Sequence, residues 1–201
     1  MTLRVACVAM LAVLLAACST TIARVEGAGH KRPDPKTQMA ALERRIYEVI
    51  EQERKTIDPK LKPLALDSEL TGVARARSAD MAAKHYVGHK APDGETAATL
   101  IMARDAGFQG LLAENIAAQH YVKKDGVDVD ALAKRFVDTW LASKTQRENL
   151  ASAEYNHIGI GAGVDSDTVY VMLLFSTDLG LKPRPDARPH AAPDAAASGG
   201  E

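Results

Sequence analysis

Glycine at every second position over five residues constrains this chain more than any other feature. Gly159, Gly161 and Gly163 alternate with Ile158, Ile160, Ala162 and Val164. Successive side chains of an extended strand point to opposite faces, so all three glycines fall on one face. A face without side chains leaves room for a closely approaching helix or for a ligand. Asp165-Ser166-Asp167 then reads as a turn, and Val169 to Phe175 is a continuous apolar run suited to a central strand covered on both faces. Gly159 to Gly163 is no dinucleotide-binding loop, because the third glycine of G-x-G-x-x-G falls on Val164 and no helix follows.

Helical periodicity dominates the preceding sequence. Met39, Leu42, Ile46, Val49 and Ile50 recur at three- and four-residue steps, with Glu43, Arg44, Glu48, Glu51 and Gln52 on the other face, and the pattern stops before Asp58-Pro59. A second helix is expected from Asp67 or Ser68 to about Lys84, where Ala74 and Ser78 would admit a close neighbour. Thr96 to Ala106, closed by Gly107, reads as a third helix; Ala131 to Ser143, capped by Asp130 and striped by Leu132, Phe136 and Trp140, reads as a fourth. Asn115 to Val122 is the early strand. Helices around that strand, with a hairpin last, predict a sheet sandwiched by helices rather than a bundle.

The ends carry different information. After Arg4, Val5 to Ala17 is an apolar and small-residue run, too short for a span of about 20 residues. Leu15-Ala16-Ala17-Cys18 resembles the lipobox of bacterial lipoproteins. That resemblance implies cleavage before Cys18, acylation there with palmitate-type chains, and export; a plain secretory signal with Cys18 incidental is the alternative. The expected organisation is a signal over residues 1–17, a lipidated cysteine and flexible tether over 18–36, a domain over 37–182, and a disordered Pro/Ala-rich tail over 183–201. Both cysteines lie within the first eighteen positions, so the domain folds without disulfides. The formal net charge of -1 supplies no field for a polyanion, which excludes nucleic acid as the expected partner.

No G-x-S-x-G, Walker loop, H-E-x-x-H or paired C-x-x-C is present. His85 and His89 stand four apart, but Val87-Gly88 argues that the helix has ended before they could share a face. Glu114-Asn115 places a carboxylate at a strand start where an apolar residue is expected. In order along the chain, Pro63-Leu64-x-Leu66-Asp67-x-x-Leu70, Gly88-His89, Glu114-Asn115-Ile116-Ala117, Trp140-x-x-Ser143, Arg147-x-Asn149-Leu150 and His157-Ile158-Gly159-Ile160-Gly161 resemble the bacterial branch of the CAP superfamily, or SCP domain. The resemblance runs from about Met39 to Phe175.

It implies an α+β fold, a three-layer α-β-α sandwich with a mainly antiparallel central sheet. It also implies a cleft that in some members holds zinc or another divalent cation on two histidines and two acids. His89 matches the first histidine and Glu114 an acid. Gln146 stands where Ser-x-x-His-Arg-x-Asn has its second histidine, and Ser143 falls near the other acid. The expected cleft is therefore His89, Glu114, Gln146 and Ser143, with His89 and Glu114 the candidate catalytic residues and weak metal ligands; no cofactor is expected beyond a weakly held divalent cation such as zinc. His157, at a strand start, is expected to be an edge or packing residue.

The function expected is an exported, lipid-anchored binding module at the bacterial cell envelope, with an envelope protein, a wall component or an apolar ligand as partner and the membrane engaged through Cys18. A hydrolase using His89 and Glu114 to activate water is the alternative, and a structural spacer a further one. Ser19 after the cysteine favours the periplasmic side of the outer membrane in a Gram-negative cell.

Overall fold

A computed structural model describes residues 33–177. The signal segment, Cys18, most of the tether and the tail over 183–201 lie outside the described residues. In chain order the elements are α1 (Pro35–Ile57), β1 (Ala65–Leu66), α2 (Ser68–Lys84), α3 (Ala97–Arg104), β2 (Leu112–His120), α4 (Val129–Ala142), α5 (Lys144–Ala151), β3 (His157–Asp165) and β4 (Thr168–Ser176). The strands form one sheet in the order β1-β3-β4-β2, with β1 parallel to β3 and the other pairs antiparallel. This is the mixed α+β sandwich that the pattern predicts.

Local chemistry sets the helix ends. The Asp34 side chain accepts from Lys36 N and Pro35 opens α1, two residues inside the segment expected to be tether. Asp67 caps α2, accepting from Leu70 N at 2.8 Å, and α2 closes on His85 in the left-handed region at φ 55°. Thr96 and Thr99 form a capping box on α3. The cap of α4 is Asp128, which accepts from Ala131 N at 3.0 Å, and not Asp130; Asp130 lies in the first turn, where it pairs with Arg45 at 2.6 Å. Strand β2 begins at Leu112 and ends at His120 rather than running from Asn115 to Val122, because β4 offers it an unbroken partner from Ser176 to Thr168. Helix α5 and the two-residue β1 give no periodic signal, since Leu150 is the sole buried residue of α5 and both residues of β1 are exposed.

Two apolar layers flank the sheet. On one side Leu42, Ile46 and Ile50 of α1 and Phe136, Val137 and Trp140 of α4 pack on Val169, Val171, Leu173 and Phe175. On the other, Leu70, Val73, Ala74 and Met81 of α2 and Ala97 and Ile101 of α3 pack on Tyr170, Met172 and Leu174. The run from Val169 to Phe175 is thus apolar throughout because β4 is covered on both faces.

The glycine face is filled by a helix. A Cβ at Gly159 would lie 2.2 Å from Leu70 C, at Gly161 2.1 Å from Ala74 C, and at Gly163 2.5 Å from Ser78 O. These are backbone atoms of α2, so α2 lies on β3 main chain to main chain. Ser78 Oγ donates to Gly161 O at 2.9 Å, which satisfies a hydroxyl buried in that seam.

Beyond β1, the outer edge of β3 meets a side chain instead of a strand. Ala162 N donates to Glu43 Oε1 at 3.0 Å, and Arg75 Nε donates to the same carboxylate at 3.0 Å. Glu43 is therefore buried, at 7% exposure, although the helical pattern assigns it to the polar face of α1.

Gly161→Val should cost about 3 kcal/mol of stability, because the new side chain cannot avoid helix backbone by changing rotamer. Urea denaturation measures this, and a loss below about 1 kcal/mol would contradict the close seam.

Candidate functional site

The loop after α2 carries His89, and a buried cation holds it. Arg77 is fully buried on the same α2 stripe as Ala74 and Met81. Its guanidinium donates to Gly88 O at 3.3 Å, lies 5.8 Å from the centre of the Tyr86 ring, and reaches Asp80 at 3.5 Å. Tyr86 Oη donates to Asp80 Oδ2 at 2.6 Å, while Lys84 Nζ sits 2.7 Å from Asp80 Oδ1. The Lys84 ammonium, then the Tyr86 hydroxyl, hold the Asp80 carboxyl below its usual range. Burial, then the bond to Asp80, pushes the Tyr86 phenol up.

Glu114 comes to this loop from the sheet. It stands opposite Leu174, which faces the α2 and α3 layer, so Glu114 shares that face. Glu114 Oε2 and His89 Nδ1 are 2.7 Å apart. The carboxylate is mostly covered, at 16% exposure, whereas the imidazole is 68% exposed. A carboxylate bonded to Nδ1 fixes the ring and leaves Nε2 as the nitrogen available to another group.

Asn115, one residue on, points to the opposite face and is fully buried. Its Nδ2 donates to Gln146 O at 2.9 Å and its Oδ1 accepts from Asn149 Nδ2 at 2.9 Å. Gln146 Nε2 donates to Ile116 O at 3.2 Å. The side chains of Gln146 and Asn149 thus bind α5 to β2. Ser143 forms the corner between α4 and α5, where its N–H donates to Trp140 O and its carbonyl accepts from Arg147 N.

The structure therefore joins His89 to Glu114, while Gln146 and Ser143 hold the α4–α5 corner with no hydrogen bond to that pair among the described residues. The other core histidines lie in separate places. His85 is 3.7 Å from Asp165, His120 bonds Thr168 at 2.9 Å, and His157 bonds its neighbour Asn156 at 2.8 Å where β3 starts beside β1.

A zinc site takes three or four donors from protein. Among the described residues no group of three or more His, Cys, Asp or Glu side chains could hold a metal ion. Of the four side chains expected in the cleft only His89 and Glu114 meet, so the residues present do not fit the four-ligand set. What remains chemically is an oriented imidazole on a charge-braced loop. In the sequence Arg77 and Asp80 read only as charges on or beside an apolar helical stripe, with nothing to mark them as supports of the site.

Asp80→Asn should lower stability at pH 7 by about 1–2 kcal/mol, since it weakens charge-assisted bonds to Lys84 and Tyr86. A carboxyl lowered in the folded state stabilises above its unfolded pKa, and that contribution is lost as pH falls through the folded value. The gap between the two proteins should therefore close in acid; a gap unchanged from pH 7 to pH 2 would refute the brace.

Comparison with known proteins identifies the fold. Residues 47–176 match the CAP family model, described as the cysteine-rich secretory protein family. The uncharacterized protein YkwD of Bacillus subtilis is 27% identical over 134 residues, covering 67% of this chain and 47% of that protein. Among solved structures, an extracellular SCP-domain protein from Bacillus anthracis is 28% identical at a TM-score of 0.58, covering 75% of this chain and 45% of that one. An outer surface protein of Borrelia burgdorferi, 24% identical at a TM-score of 0.55 over 72% of this chain and 96% of that one, shares the fold. This chain spans less than half the length of the two Bacillus proteins. With the model match extending over most of the sandwich from α1 to β4, the chain belongs to the CAP family of cysteine-rich secretory proteins.

Proposed function

We propose that this protein is an exported, lipid-anchored CAP domain that acts as a binding module at the bacterial cell envelope. The observation that carries this reading is the His89–Glu114 pair, an exposed imidazole oriented by a covered carboxylate at 2.7 Å. Such a pair can recognise a donor or an anion on a partner by hydrogen bonding through Nε2. No described hydroxyl or thiol hydrogen-bonds to the His89 ring, and none of the described residues adds a third metal donor, which disfavours the hydrolase alternative. Export is supported by the apolar amino-terminal run ending at Cys18 and by the extracellular and outer-surface character of two similar proteins. The partner is an envelope protein, a wall component or an apolar ligand, and the periplasmic side of an outer membrane is the favoured place.

Calorimetric titration with zinc tests the cleft. The natural chain should give no saturable heat at micromolar zinc. Micromolar binding that disappears in Glu114→Ala would refute the metal-free cleft and turn the search to substrates of the metal-assisted hydrolase alternative.

Membrane attachment has its own test. The Cys18→Ser variant should move from the membrane fraction to the soluble fraction on cell fractionation, and its persistence in membranes would refute anchoring through Cys18.

A further inference from the structure

Away from the His89–Glu114 pair, a cavity of about 340 Å³ opens between α1 and the first half of α2, over the edge of β3 beside β1. Its volume is at the lower end of the small-ligand range. Ile160, 2% exposed, lies at its base, and the Tyr47 ring is held beside it by a hydrogen bond from its hydroxyl to Leu64 O at 2.8 Å. Leu66 also lines it and is 58% exposed, the highest value among the exposed large apolar side chains of the described residues. These three side chains offer a hydrocarbon group an apolar bed that the protein itself leaves partly uncovered.

The charged side chains of the lining divide into a pair already committed to each other and two groups that are not. Glu43 Oε1 accepts from Ala162 N and Arg75 Nε, and Glu43 Oε2 accepts from Arg75 as well, so this pair cancels. Arg44 is exposed and makes no hydrogen bond or ion pair among the described residues. Asp67 accepts from Leu70 N through Oδ1 alone and forms no ion pair among the described residues. It stands at the head of α2, where its full negative charge outweighs the roughly half positive charge of the helix end, and it also borders the space between α2 and α3. One uncommitted cation on α1 and one uncommitted carboxylate oxygen at the head of α2 thus line the same small cavity. A lone anion there meets Asp67 and a lone cation meets Arg44, whereas a ligand carrying both signs is matched at each.

We propose that this cavity is a binding site for a small zwitterion with an apolar body, an amino acid with a hydrocarbon side chain. Its carboxylate accepts from the Arg44 guanidinium, and its ammonium donates to the Asp67 carboxylate. The hydrocarbon lies on Ile160, Tyr47 and Leu66. The site uses neither residue of the His89–Glu114 pair and does not depend on the function proposed for it.

The test is a titration of the full ¹⁵N-labelled chain with DL-norleucine, hexanoate and n-pentylammonium, read at the amides of Leu66, Thr71 and Ile160. Hexanoate is norleucine without its ammonium, and n-pentylammonium is norleucine without its carboxylate. Norleucine should saturate, with a Kd about tenfold or more below that of either singly charged ligand. Arg44→Gln should bring its Kd to that of n-pentylammonium. Asp67→Asn, which keeps a good helix cap, should bring it to that of hexanoate. Glu114→Ala should leave it unchanged. Norleucine binding no more tightly than hexanoate or n-pentylammonium, full affinity in Arg44→Gln, or shifts that never saturate would overturn the proposal. Should Asp67→Asn fail to fold, the matched ligands on the natural chain and on Arg44→Gln, an exposed change, still decide it.

Discussion

The packing of α2 on the glycine face of β3 is the contact on which the rest of this molecule depends. Because Gly159, Gly161 and Gly163 present no side chain, the helix axis drops until its backbone touches the strand. That depth brings Ala74 and Ser78 into the seam, and it carries Arg77 beneath the following loop, where it is fully buried. The loop is then held by a cation it could not otherwise keep, since a buried guanidinium needs carbonyl and carboxylate partners. Gly88 O, Asp80 and the Tyr86 ring supply them. His89 meets Glu114 at the end of this sequence of dependencies, so the position of an exposed imidazole is set by three glycines some seventy residues away.

The second half of the candidate cleft behaves differently, because β2 sends adjacent residues to opposite sides. Glu114 faces the α2 layer and Asn115 faces α5, a consequence of strand geometry alone. Gln146 and Asn149 therefore meet the sheet through Asn115 and the carbonyl of Ile116.

Much of the fold was legible because its signals are periodic. The alternating glycines, the apolar run of β4 and the stripe of α1 each report burial on a known face. The elements that went unread are those whose stability comes from elsewhere. Helix α5 buries only Leu150 and is held by side-chain amides, and β1 is two exposed residues paired with β3. The α4 cap was misplaced because Asp128 and Asp130 are both suitable residues, and only the tertiary pairing of Asp130 with Arg45 separates them. In the site, Glu114 and His89 were legible as residues out of keeping with their surroundings, whereas the engagement of Gln146 by Ile116 O depends on a register that sequence pattern does not specify.

Glu43 gives the sheet a definite boundary. The outer side of β3 past β1 would otherwise offer main-chain groups to any extended segment, including the same strand of another molecule. A buried carboxylate accepting from Ala162 N, itself gripped by Arg75, takes the place such a segment would need. On the far side, the amides of Gln146 and Asn149 occupy β2 in the same way. Among the described residues both margins of the sheet thus present main-chain groups already engaged by side chains, which disfavours sheet extension and aggregation where many copies are held close together.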